Sequence, residues 1–89
     1  MNMMMRTSDV RWISPVRVRL GYGFPELVRG PREALGYLKF RWPAVDGNDC
    51  HAAQLACADA LLDLVSPDAA REAFIKACVE ARMLDEAAA

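Results

Sequence analysis

The residues best suited to chemistry cluster in one stretch, Cys50-His51-Ala52-Ala53-Gln54-Leu55-Ala56-Cys57. If it is helical, at about 100° per residue, Gln54 lies in the stripe of Cys57, Ala58, Leu61 and Val65, with Cys50 and His51 one turn earlier. A thiol, an imidazole, an amide and a second thiol on one surface suggest soft-metal ligation or an activated cysteine. Neither set is complete. Zinc takes four ligands as a rule, and no matching C-x-x-C or H-x-x-x-H is present. A cysteine nucleophile needs a nearby base, and His51 points roughly 100° round the helix from Cys50. The plainer reading makes Cys57 a small core residue, because free cysteine is among the most buried residue types. Cys50, His51 and Gln54 then stand where the stripe emerges, as candidate partner contacts.

A second candidate is Gly21-Tyr22-Gly23. A dinucleotide-binding turn needs G-x-G-x-x-G opening directly into a helix, so that backbone can approach a pyrophosphate. Here Glu26 stands in place of the third glycine, Pro25 intervenes and a second extended run precedes the helix. The glycines read as the bend of a hairpin, and no P-loop lysine follows them. The third candidate is basic. Arg17 and Arg19 project together from a strand, where arginines can meet phosphates or a partner. The strands lack the aromatic ladder of an RNA-binding sheet and the net charge is −1, which disfavours nucleic acid.

The elements that position these groups follow from periodicity. Val16, Val18 and Leu20 alternate with Arg17 and Arg19, a half-buried strand that Pro15 introduces. Glu26-Leu27-Val28-Arg29 is a shorter strand. Gly30-Pro31-Arg32-Glu33 opens a helix, because proline at the first position has a preset φ and lacks only an N–H that would be unpaired anyway. Ala34, Leu35, Leu38 and Trp42 share one face as far as Pro43. Asn48 or Asp49 caps a second helix to about Val65. Ser66-Pro67-Asp68 ends it and caps a third, which reaches about Leu84 and turns Ala70, Phe74, Ala77, Cys78 and Ala81 inward.

The spacing predicts an α+β fold of order β-β-α-α-α, a two-stranded antiparallel hairpin packed on three helices. Its expected core is Val16, Val18, Leu20, Leu35, Leu38, Leu61, Leu62, Phe74 and Cys78. Residues 1–10 read as a tail, 11–85 as a single domain and 86–89 as a frayed end. An isolated hairpin is marginal and its outer strand exposes unpaired backbone groups, so a homodimer joining two hairpins into a four-stranded sheet is expected.

At 89 residues such a domain buries only roughly 60 to 65% of its unfolded surface, so the core is small. No run approaches the 18 apolar residues of a membrane span. The opening Met1-Asn2-Met3-Met4-Met5-Arg6 lacks the apolar stretch and cleavage site of a signal peptide. Three cysteines without a CxxC pair suggest reduced thiols in a cytosol. Charge is divided unevenly: residues 1–43 carry +5 and residues 44–89 carry −6, a split that can serve a partner's charge, a second copy of the chain, or nothing beyond solubility.

Several of these pieces together resemble one family. They are Trp12 followed by Pro15-Val16, the entry Gly30-Pro31-x-Glu33-Ala34-Leu35, Trp42-Pro43 before Gly47, Cys57 before Ala60-Leu61, and Ala70-Arg71-Glu72-Ala73-Phe74-Ile75. The chain resembles domain of unknown function 982, small single-domain bacterial proteins, from about Trp12 to Arg82. The resemblance implies a fold and carries no active site. With no paired acid and base, phosphate loop or closed metal set, the expectation is no enzyme and no cofactor, but a small protein-interaction or regulatory module. A nucleic-acid binder is the alternative, and a thiol or metal enzyme the remotest reading.

Overall fold

A computed structural model describes residues 10–21, 23–43 and 47–85. Apart from Val10, the expected tail and frayed end lie outside these residues. The elements follow in the order β1 (Val16–Val18), β2 (Glu26–Val28), α1 (Pro31–Phe40), α2 (Asn48–Leu61) and α3 (Pro67–Glu80). This is the β-β-α-α-α order that the periodicity predicts.

The strands are antiparallel, with Val16 opposite Val28, Arg17 opposite Leu27 and Val18 opposite Glu26. Alternation puts Val16, Val18 and Val28 on the helix side, where all three are buried. The glycines do serve the bend. Gly21 has φ +56°, a conformation glycine adopts without steric cost, and the Gly23 N–H returns to the Leu20 carbonyl at 2.9 Å.

Phe74 sits fully buried at the centre, with Trp12 and Trp42 tilted against it at centroid distances of 5.9 Å each. The Trp12 indole N–H donates to the Pro67 carbonyl at 2.8 Å, so this ring is both packed and polar-satisfied. Buried alanines at 34, 53, 60, 70 and 77 let the helices approach closely around these large rings. Arg71, on the same helix as Phe74, donates to the Ser14 carbonyl at 2.8 Å.

Two helices end earlier than periodicity predicts, for one shared reason. After α2, the Asp63 N–H bonds the Ala60 carbonyl and the Leu64 N–H bonds the Asp59 carbonyl, with Asp63 left-handed at φ 65°. After α3, the Arg82 N–H bonds Val79, the Met83 N–H bonds Cys78, and Arg82 has φ 58°. Both are Schellman stops, with Asp or Arg at the position that usually holds glycine. The α2 stop corrects the expected core: Leu61 is only half-buried, and Leu62, at 68% exposed, lies outside it. Leu20 and Leu35 pack from the periphery.

Helix starts also differ in detail. Ser66 caps α3, its Oγ accepting the Ala69 N–H at 3.0 Å. At α2 the cap residue is Gly47 rather than Asn48 or Asp49, without a side-chain cap bond. The Glu80 carboxylate lies where a Cβ on Gly47 would stand, placing a negative charge at the positive end of α2. Because Glu80 ends α3 and Gly47 begins α2, the two helices run antiparallel.

The segment beyond α3 then returns to the sheet. Leu84 forms an antiparallel bridge with Val18, the Arg19 N–H donates to the Met83 carbonyl at 2.8 Å, and the Asp85 N–H donates to the Arg17 carbonyl at 3.0 Å. The outer edge of β1 is therefore covered by the chain itself.

Candidate functional site

The thiol stretch is divided by its helix. Cys50 and Cys57 are buried on the inner face of α2, and the half-buried Gln54 directs its amide to the Cys50 sulfur at 3.6 Å. His51, about 100° further round the helix from Cys50, is exposed to solvent. Burial pushes the Cys57 thiol up to about 12; it does the same to Cys78, with the proximity of Cys57 adding to the shift. Thiols held neutral in this way are poor nucleophiles and poor metal ligands. Among the described residues no group of three or more His, Cys, Asp or Glu is placed to hold a metal ion.

The basic strand face has a local counter-ion. Asp85 Oδ2 lies 3.6 Å from Arg17 Nε and 3.5 Å from Arg19 Nη2, and its side chain is only 8% exposed. The turn that ends α3 delivers this acid between the two arginines. It partly neutralises the surface that phosphates would need.

A third site gave no sequence motif. The side of β2 away from β1 and the outer face of α1 enclose an open groove of about 550 Å³, lined by Glu26, Leu27, Arg29 and, on α1, by Gly36, Tyr37 and Phe40 among others. One end is tied shut. Arg41 meets Glu26 with two 3.0 Å hydrogen bonds, the Tyr37 hydroxyl donates to the same carboxylate, and the guanidinium lies 4.6 Å above the Tyr37 ring. The Arg41 hydrogen bond, with Tyr37 behind it, holds the Glu26 carboxyl below its ordinary range. Burial and the bond to Glu26 raise Tyr37, and Glu26 raises Arg41. At the other end Glu33 reaches back to accept the N–H of Arg29, the residue just before the cap Gly30, at 2.9 Å, in the manner of a capping box.

Between these ties the groove is apolar, and no described residue fills it. Phe40 is 83% exposed, Leu27 41%. One turn before Phe40, Gly36 has nothing beyond its own helix backbone and chain neighbours within 4 Å of the place a Cβ would take. Glycine inside a helix costs about 1 kcal/mol relative to alanine, and no packing contact accounts for it here. The sequence did carry a faint signal: Phe40 lies off the Ala34, Leu35, Leu38 stripe, with the glycine one turn before it.

No helix among the described residues is long and apolar enough to cross a membrane. No curated protein and no solved structure matches the chain. A family model, described as "Protein of unknown function (DUF982)", matches residues 14–84, which include both strands, all three helices and the Leu84 bridge. The chain belongs to the DUF982 family of proteins of unknown function.

Proposed function

We propose that this chain is a small non-catalytic protein-interaction module of a bacterial cytosol, and that it receives its partner in the groove between β2 and α1. The carrying observation is the pairing of a solvent-facing Phe40 with an open Gly36 beside the Leu27 stretch of β2, whose outer edge no described residue covers. Exposed aromatic surface rimmed by polar groups marks interaction sites, and local rules of helix composition are broken most often where function requires it. Glu26, Arg41 and Glu33 form that polar rim. The cytosolic placement draws on three cysteines that are all free and buried. Against a nucleic-acid role stands Asp85 between Arg17 and Arg19.

The test is a photo-reactive residue in living cells, placed at position 40 and, as a control, at the exposed Val79 on α3. Position 40 is expected to give an adduct of discrete mass that position 79 does not. No adduct at position 40, or the same pattern at both, refutes the groove.

A further inference from the structure

We infer that the groove is occupied by the same groove of a second copy of this chain, related by a two-fold axis beside Leu27; the inference rests on the interaction reading above. The backbone argues first. Arg17 C=O and Arg19 N–H are directed to Met83–Asp85, so Val16 and Val18 direct theirs to β2, and by alternation Leu27 presents its N–H and C=O on the open edge. The next pair along that edge is already used. Arg29 N–H donates to Glu33, and the Arg29 carbonyl accepts the Trp12 N–H at 2.7 Å. On the other side Pro25 has no N–H. The open edge thus offers one complete residue. An extended foreign strand gains little from it, whereas two copies facing each other antiparallel at Leu27 exchange both bonds and close the pairing.

The helix has the same self-complementarity. A two-fold axis at Leu27 sets α1 antiparallel to its counterpart, and an isologous contact requires one patch to fit itself. The Phe40 ring protrudes and Gly36, one turn away on the same face, leaves a hollow. Each ring meets the other copy's hollow. Charge agrees: Glu33 in the first turn of α1 comes toward the partner's Arg41 just past the last, twice by symmetry. The chain's own cover on β1 leaves β2 as the edge for this contact.

Light scattering on the purified full chain at micromolar concentrations is expected to give twice 9.9 kDa. Gly36→Gln fills the hollow with a better helix former, and should give a folded 9.9 kDa species with the parent's circular dichroism. Leu27→Cys supplies the positive arm, because directly paired antiparallel residues lie about 5.5 Å apart at Cα, within disulfide reach. Mild oxidation should link it quantitatively into a dimer. A parent at 9.9 kDa throughout, or a dimer that Gly36→Gln leaves intact and Leu27→Cys fails to link, overturns the inference. A monomer whose position-40 adduct in cells contains another protein refutes the second copy and leaves the groove reading standing. A monomer with no adduct refutes both.

Discussion

Arg41 holds Glu26 through both terminal guanidinium nitrogens, and this pair fastens the end of α1 to the first residue of β2. The contact is solvent-exposed, so it serves geometry more than stability. It sets the width of the groove at one end, while the Glu33 bond to the Arg29 N–H sets it at the other.

The Glu26 tie has a pH signature. Its carboxyl is held below 4.5, first by the hydrogen bond to Arg41 and then by Tyr37. A group with a depressed folded-state pKa contributes stability above its unfolded value and loses it as pH falls through the folded one. Thermal unfolding of the parent is expected to fall more steeply below about pH 4.5 than that of Glu26→Gln. Parallel curves contradict the assignment.

Phe74→Ala removes the ring on which Trp12 and Trp42 both rest. Emptying a buried aromatic site costs about 3 to 5 kcal/mol, a large share of what so small a domain has. Urea unfolding of the variant is expected to show that loss. An unchanged midpoint would mean that Phe74 is not the centre of the core.

Gly30 matters for space rather than for its own dihedral. A Cβ there would stand 2.3 Å from the Val10 carbonyl oxygen and 3.2 Å from the Arg11 Cα, both backbone atoms with little room to yield. Gly30→Ala is expected to destabilise by about 1 to 3 kcal/mol, the range for overpacking. The Trp12 indole, delivered by that same backbone, should show the displacement as a fluorescence shift. An alanine variant as stable as the parent rejects the close approach.

Three free thiols should be detected by mass when the chain is denatured and alkylated without reductant. In the native chain Cys57 and Cys78 are expected to resist alkylation at pH 8, since burial pushes both up to about 12. The sign follows from linkage. A raised folded-state pKa favours the protonated form, so its stabilising contribution is intact below the ordinary value of 9.0 and lost as pH rises toward 12. Rapid native labelling of Cys57 contradicts its burial.

The element order and the Phe74 core were legible because alternation and helical stripes report burial directly, and Pro31 and Ser66 announce helix starts by their own chemistry. The helix stops at Asp63 and Arg82 were not, because neither residue is the glycine that usually marks a left-handed stop. A helix running on to Leu84 leaves no room for the return of Met83–Asp85 to β1, nor for the Asp85 acid beside Arg17 and Arg19. The groove was concealed for a different reason. Tyr37 and Arg41 stand one helical turn apart, but Glu26 is distant along the chain, and only the antiparallel docking of β2 on α1 brings it to them. Gln54 and Cys50 pair at helical spacing, as the shared stripe suggests, whereas His51, read onto the same surface, is exposed while both thiols are buried.

The return of Met83–Asp85 to β1 also sets an order of events during synthesis. These residues leave the ribosome after every element they join, so a nascent chain ending at Glu80 carries a hairpin with its β1 edge bare. Bare edges recruit other strands, and the hazard lasts from the emergence of the hairpin until Met83–Asp85 have emerged as well. A stalled or clipped product lacking residues 83–85 is the species to watch for in inclusion bodies, because it retains the hairpin while missing the piece that shields it.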